Sequence, residues 1–313
     1  KMKIIAVEPI GMSGAQIAGF EEEFARSGNQ FVCFPDRNEN PKVLIERMHD
    51  ADVVIISNIK LDREILSACP KLKMLSVAFT GIDHINLEYC SNKGIAVYNA
   101  SGYATVAVAE LAIGLMLDLY RHITILDAAT RQLGCRNNFL GRQLKGKTVG
   151  VVGTGTIGRE TAFALQSLGC KVVAWNRTPH EEVLNHNIHY LPLDELLTIS
   201  DIITLHLPLT NETEGLISAE RLSLCKPTAI LINCARAKIV DMHALAAALH
   251  NGLLAGAGID VYETEPPLPQ NHPLLDAPNC ILVPHIGYAT REAFDSRIDI
   301  VMDNVRNWLL SFC

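Results

Sequence analysis

The stretch Val149-Gly150-Val151-Val152-Gly153-Thr154-Gly155-Thr156-Ile157-Gly158 decides how this chain is read. An apolar run ends in Gly153-x-Gly155-x-x-Gly158, and a helical pattern follows with Ala162, Phe163 and Leu165 on one face. The pattern predicts a strand, a tight turn and a helix N-terminus. Gly153 permits the turn, Gly155 lets a pyrophosphate approach the backbone, and Gly158 lets the helix pack close to the strand. The free N–H groups and the positive end of the helix dipole then face the phosphates. A lone Gly-x-Gly-x-x-Gly is weak evidence, and a purely structural glycine turn is the alternative. Here a second apolar strand, Lys171 to Trp175, follows at βαβ distance. A dinucleotide site is therefore expected, in a chain that must also hold something for the dinucleotide to react with.

The chain has 313 residues, enough for two domains with separate cores. It is 49% hydrophobic and 19% charged, as globular proteins are. The formal net charge is −7, and no Lys/Arg-rich run stands out, which argues against a nucleic-acid or anionic-membrane surface. Nine cysteines are scattered without Cys-x-x-Cys or Cys/His ligand spacing, so no metal is expected and a reducing cytoplasm suits the chain better than a disulfide framework. Lys1 to Glu8 meets acid too early for a signal peptide. The most apolar helix, around Ala104 to Tyr120, is interrupted by Glu110 and Asp118 and reads as buried, not membrane-spanning.

Apolar strands are expected at 3–7, 30–34, 52–57, 72–79 and 95–99, with helices between, which predicts a parallel doubly wound sheet. This first sheet lacks a glycine fingerprint. Its informative feature is the turn Phe79-Thr80-Gly81-Ile82-Asp83-His84, at the carboxyl end of a strand, where ligands bind in open α/β sheets. A long inter-domain helix is predicted from about Thr105 to Arg131, followed by a polar irregular stretch to 147. After the fingerprint, further strands at 201–207, 229–233, 256–260 and 281–283 end in polar residues that should share one rim. The last helix, Thr290 to Leu310, carries Phe294, Ile298, Val301, Val305 and Leu309 at helical spacing and needs the first domain as a partner. The fold expected is α/β, with two Rossmann-like doubly wound parallel-sheet domains and a cleft between them. Their expected bounds are 1–99 plus 288–313 for substrate and 100–287 for the dinucleotide.

Three rim segments carry ionisable groups. Arg236 follows a buried strand in Asn233-Cys234-Ala235-Arg236, and its planar fork suits a carboxylate or carbonyl oxygen. A surface salt bridge is the plainer reading. Asp260-Val261-Tyr262-Glu263-Thr264-Glu265-Pro266-Pro267 joins a strand end to three acids, or is simply a solvated acidic loop. His285, in Val283-Pro284-His285-Ile286-Gly287, could be a structural histidine; beside a carboxylate on a dinucleotide rim it makes an acid–base pair.

Taken in order, these motifs resemble the D-isomer-specific 2-hydroxyacid dehydrogenases, the family of glyoxylate/hydroxypyruvate reductases and of D-lactate and D-3-phosphoglycerate dehydrogenases. The resemblance rests on Thr80-Gly81-x-Asp83, Val108-Ala109-Glu110, Gly153 to Gly158, His206-Leu207-Pro208-Leu209-Thr210, Asn233-x-Ala235-Arg236 with Val240-Asp241, Asp260-Val261 leading to Glu265-Pro266, and Pro284-His285-Ile286-Gly287. It spans nearly the whole chain. It implies hydride transfer between NAD(P) and a small 2-keto acid such as glyoxylate or hydroxypyruvate, usually in a homodimer. By the same resemblance His285 is the general acid, Glu265 its orienting partner, and Arg236 the residue that polarises the carbonyl and grips the carboxylate. Glu263 does not fit the partner's register. A nearby carboxylate would favour the imidazolium. Backbone N–H groups of Thr80 and Gly81 would bind the substrate carboxylate, and Asp260 would fix the nicotinamide amide. Thr105, Thr156, Ile157, His206, Pro208, Cys234 and Ala235 would add cofactor contacts.

One position departs from the NAD-specific pattern, which ends the second strand of this fold in Asp or Glu to bond the ribose diol. This strand ends Trp175-Asn176-Arg177-Thr178. Asn176 cannot repel a 2′-phosphate, and Arg177 and Thr178 can bind one. NADP is therefore the expected preference over NAD, with Arg177 stacking on adenine as the alternative. Two rival functions share the fold: a dinucleotide-sensing corepressor-like protein, and a dehydrogenase of another small anion such as formate.

Overall fold

Through the first hundred residues, short, mostly apolar runs alternate with capped helices, and each run becomes a parallel strand. The structure, a computed structural model, describes residues 1–311. The elements here are β1 (Lys3–Ala6), α1 (Gly14–Arg26), β2 (Gln30–Cys33), α2 (Pro41–Met48), β3 (Val53–Ile56), α3 (Arg63–Ser67), β4 (Met74–Val77), α4 (Leu87–Lys93) and β5 (Ala96–Asn99). The sheet order is β2-β1-β3-β4-β5, all parallel. Every residue of β3 and β4 is buried, because helices cover both faces; hence their largely apolar runs, with Ser76 the one polar member. Local signals start the helices. Ser13 and Gln16 form a reciprocal capping box on α1, and Asn40 caps α2 just ahead of Pro41 at its first position.

The second sheet is larger. Its elements are α5 (Thr105–Arg121), α6 (Ile123–Arg131), β6 (Thr148–Val152), α7 (Thr156–Ser167), β7 (Lys171–Trp175), α8 (Glu181–Asn185), β8 (His189–Tyr190), α9 (Leu193–Ile199), β9 (Ile202–Leu205), α10 (Ala219–Leu224), β10 (Ile230–Asn233), α11 (Met242–His250), β11 (Gly256–Ile259) and β12 (Cys280–Leu282). Seven parallel strands run in the order β12-β11-β10-β9-β6-β7-β8. Crossing from β6 to β7 on one side and to β9 on the other makes the sheet doubly wound, with the fingerprint turn at the switch point.

The helix expected over 105–131 is two helices. His122 takes a left-handed conformation (φ 55°) between α5 and α6. Asp118 stabilises the break: its carboxylate accepts the Thr124 N–H at 2.8 Å and also the Thr124 hydroxyl. Apolar content cannot reveal this, because an aspartate inside one helix supplies the acceptor that starts the next. α5 buries Val108, Ala109, Ala112, Leu115, Met116 and Tyr120, whereas α6 buries nothing. Among the described residues no helix is long and apolar enough to cross a membrane.

The closing helix, α12 (Arg291–Leu310), belongs with the first sheet. It lies on β4, where the Ser76 hydroxyl donates to Val301 O at 3.0 Å, and Asn304 donates to Asn99 O at 3.0 Å. Its buried stripe includes Ile298, Val301, Val305 and Trp308. Burying each aliphatic member of the stripe stabilises the docking by about 2 kcal/mol. The chain thus forms two compact units: Lys1–Ala104 with the segment from Ala289 on, and Thr105–Tyr288.

Candidate active site

Because every strand of the second sheet is parallel, all their carboxyl ends open on one rim. The glycine turn lies there, and its three glycines are constrained differently. Gly153 has φ +99°, and a Cβ on it would stand 2.5 Å from His206 O. A Cβ on Gly158 would stand 1.9 Å from Gly153 O. Packing therefore demands both. Gly155 has an ordinary φ of −63°, and a Cβ there would meet no protein atom within 4 Å. It opens onto space, at the head of a twelve-residue helix whose first N–H groups receive no side-chain cap. This cradle fits the phosphates of a dinucleotide. Thr156 is exposed and Ile157 half-buried beside it.

Two residues brace the turn from outside it. Thr154 is buried, and its hydroxyl meets the Tyr190 hydroxyl at 2.7 Å, so β8, which carries Tyr190, acts as a strut. Asn176 at the end of β7 accepts the Thr154 N–H at 3.2 Å and donates to Thr178 O at 2.7 Å. Its amide is thus committed to the turn. The neighbouring Arg177 is exposed and forms a 2.9 Å ion pair with Glu212.

Across the rim, His285 follows β12 with φ 55°, a left-handed conformation that costs a non-glycine residue about 1 kcal/mol or more. Several bonds enforce it. The His285 N–H donates to Val283 O at 3.0 Å, and Tyr262 donates to the same carbonyl at 3.0 Å. The Asp260 carboxylate accepts Ile286 N–H at 2.6 Å and Gly287 N–H at 2.8 Å. These bonds place His285 Nδ1 at 2.8 and 3.0 Å from the two oxygens of Glu265. With a carboxylate there, Nδ1 carries a proton, and Nε2 becomes the nitrogen that exchanges one. Burial pushes the Asp260 carboxyl up, against the pull of the Ile286 and Gly287 N–H groups and the His285 charge. Expected as a nicotinamide ligand, Asp260 spends both oxygens on the loop that carries His285.

Arg236 follows β10 in extended conformation and is half-buried. Buried Asn233 shapes its turn, accepting Ala235 N–H and donating to Arg236 O, each at 3.0 Å. Burial pushes the Cys234 thiol well up, helped by the Asp260 charge, so Cys234 stays a neutral packing contact, not a nucleophile. His206 is buried under the glycine turn, its Nε2 2.9 Å from the Thr204 hydroxyl. Burial lowers its pKa to about 4, and among the described residues its Nδ1 has no hydrogen-bond partner. Pro208 is exposed on the turn after β9, while Ala235 and Thr105, the first residue of α5, are half-buried.

In the first unit, the turn after β4 has three successive carbonyls held: Ala78 O by Arg297 (3.5 Å), Phe79 O by the Ala100 N–H (3.1 Å) and Thr80 O by Asn99 (2.7 Å). Among the described residues the N–H groups of Thr80 and Gly81 meet no acceptor. Such a pair of amides suits an anion.

Several contributors escaped the sequence reading. Tyr190 lies on a two-residue strand inside a polar stretch, too short to show periodicity. Glu212 and Asn99 act through partners far away in sequence. Glu263 belongs to a second pair, its Oε2 3.3 Å from Nε2 of buried His272. The one hint was that Glu263 stood in the wrong register to serve His285.

The D-isomer specific 2-hydroxyacid dehydrogenase NAD-binding domain family matches residues 113–287, the segment that holds the glycine turn, Arg236, Glu265 and His285. A glyoxylate reductase of Thermococcus litoralis is 39% identical over 273 residues, covering 84% of this chain and 82% of the relative. The chain belongs to the D-isomer-specific 2-hydroxyacid dehydrogenases. It is therefore an oxidoreductase that acts on a CH–OH group with a nicotinamide dinucleotide. Solved structures match it over nearly its full length. A D-lactate dehydrogenase of Aquifex aeolicus, complexed with NAD and lactic acid, matches with a TM-score of 0.85 at 30% identity, covering 99% of this chain and 96% of that one. An acyclic imino acid reductase in complex with NADPH and D-arginine matches at 0.89 and 27%, covering 99% and 98%.

Proposed function

We propose that this dehydrogenase works as a reductase of small 2-keto acids, glyoxylate and hydroxypyruvate first among them, and prefers NADPH to NADH. The observation that carries the chemistry is the His285–Glu265 pair at 2.8 and 3.0 Å on the rim of the dinucleotide sheet. Bound NAD(P)H supplies the hydride. His285 gives the Nε2 proton to the keto oxygen and is left as the neutral Nδ1–H imidazole, while Glu265 holds Nδ1–H and stabilises the imidazolium that exists before the transfer. In oxidation of the 2-hydroxy acid the same nitrogen takes the proton back, so rising pH favours oxidation. The Arg236 fork draws charge onto the carbonyl oxygen or holds the carboxylate. In the first unit, Thr80 and Gly81 offer their amides to a carboxylate, which supports a substrate-binding role there. Thr105, Thr156, Ile157, Pro208 and Ala235 line the dinucleotide's seat.

The NADPH preference is supported by the absence of an acid at the end of β7 and by the Arg177 guanidinium beside it. Comparing kcat/KM for the two cofactors tests it, and a tenfold preference for NADH rejects it. The reductase reading is tested by turnover on glyoxylate and hydroxypyruvate. Binding of NADPH with no turnover on any 2-keto acid defeats it.

We also propose a homodimer, formed over α6 and the loop behind it. Ile123, Ile125, Leu133, Phe139 and Leu140 are all exposed there, Leu133 at 97% and Leu140 at 78%. So many apolar side chains on one excursion mark an interaction surface. Beside it, a cavity of about 450 Å³ lined by Asp118, Tyr120, His122, Leu140 and Arg142 opens at the amino ends of β10 to β12, away from the rim that carries His285. It suits a neighbour's side chain, not the reaction. A cytosolic location fits the free thiols of the described cysteines.

A further inference from the structure

Glu212 lies on the turn after β9, paired with Arg177 at the end of β7. The turn after β9 that carries it is rigid: Thr213 donates to Pro208 O at 2.7 Å and accepts the Thr210 N–H at 2.8 Å, and the Glu214 N–H donates to Thr210 O at 2.9 Å. The turn presents Glu212 to Arg177, which comes from the end of β7. Both side chains are largely exposed, at 69% and 81%, yet they pair at 2.9 Å. On the β7 side, Asn176 is occupied with the glycine turn, as described. The ends of β7 and β9 flank the fingerprint strand β6 in the sheet, so the pair sits on the same rim as the glycine turn.

We propose that Glu212 is a cofactor-selecting residue: it contests Arg177 with the 2′-phosphate of NADPH and supplies, from a different loop, the carboxylate that β7 lacks for a ribose diol. This rests on the reading of Arg177 as the 2′-phosphate ligand. A ribose hydroxyl can donate to the Glu212 carboxylate. A 2′-phosphate has no such proton to offer at neutral pH; it takes the Arg177 fork and repels Glu212. Glu212 therefore weakens the grip on NADPH and strengthens that on NADH, and the enzyme keeps the use of both. Because the pair is exposed and screened, the effect is modest, about fivefold in affinity.

The test is calorimetric titration of the full chain with 2′,5′-ADP and with 5′-ADP, in the wild type, Glu212→Gln and Arg177→Ala, followed by kcat/KM ratios with NADPH and NADH. Glu212→Gln should tighten 2′,5′-ADP about fivefold relative to 5′-ADP and raise the NADPH/NADH ratio equally. Arg177→Ala should weaken 2′,5′-ADP by about tenfold and leave 5′-ADP within about twofold. If Arg177→Ala changes neither ligand, the 2′-phosphate reading fails and this proposal falls with it. If Arg177→Ala weakens 2′,5′-ADP but Glu212→Gln leaves the ratio of the two ligands unchanged, Glu212 alone is overturned. Both residues lie at the surface away from any core, so a melting temperature matching the wild type certifies the fold of each variant.

Discussion

Alanine placed at Gly155 and, separately, at Gly158 should pull folding and cofactor binding apart. At Gly158 the new Cβ would lie 1.9 Å from Gly153 O and 3.3 Å from His206 Cβ. An ordinary carbon–oxygen contact is about 3.3 Å, so the start of α7 and the glycine turn must separate by about 1.4 Å. The obstacle is backbone, which cannot rotate aside as a side chain can. Overpacking of this kind costs about 1–3 kcal/mol, or roughly 2–10 °C in the melting temperature of a domain this size. At Gly155 the backbone angle suits any residue, and the new Cβ touches nothing. Restricting the unfolded chain should even stabilise that variant by about 0.4–1 kcal/mol. Its Cβ nevertheless occupies the approach to the helix N-terminus, and NADPH affinity should fall at least about tenfold, or ~1.4 kcal/mol. Thermal melts followed by circular dichroism, together with fluorescence titration with NADPH, read both effects. A Gly155→Ala protein that binds NADPH like the wild type refutes the phosphate seat. A Gly158→Ala protein with an unchanged melt refutes the packing argument.

His285→Ala should lower turnover by roughly 10²–10⁴ with NADPH affinity intact, and Glu265→Gln by less, since it removes the negative charge beside Nδ1–H but keeps an amide oxygen able to accept it; steady-state kinetics decides both. Arg236→Ala should damage KM and kcat together, because the guanidinium serves ground and transition states alike. Burial lowers His206 to about 4, so the folded chain binds fewer protons there than the unfolded one, whose histidine titrates near 6.5. The resulting stability, about 3 kcal/mol at most, is complete above ~6.5 and drains away as pH falls toward 4. Melting curves from pH 7 to 4 should therefore fall less steeply for His206→Leu. Asn99→Ala frees the Thr80 carbonyl and should raise KM for the keto acid about fivefold without touching cofactor affinity. Leu140→Asp should shift the protein toward monomer in sedimentation runs, and an unchanged dimer would exclude that surface.

Much of the fold was legible in the residues because parallel strands buried on both faces leave largely apolar runs. Met74 to Val77 and Ile202 to Leu205 could be placed that way. The break at His122 was not legible, since Asp118 takes part in two helices at once, and neither was β8, two residues long and polar. At the site, the glycine spacing and the ordered motifs around Arg236, Glu265 and His285 stood out because each is local. Tyr190, Glu212, Asn99 and the His272–Glu263 pair did not, because each acts on a partner that folding brings near.

Sequence alone determined the class of chemistry and the groups available for it: a phosphate cradle, an imidazole, carboxylates and a guanidinium, each following a strand of the second sheet. Tertiary structure decided what each group is left to do. Two backbone amides occupy Asp260, a turn occupies Asn176, an opposite charge meets Arg177, and burial keeps Cys234 neutral. Residue type limits the bonds a side chain can make, but only packing sets which partners lie within 3 Å and how much water remains to screen them.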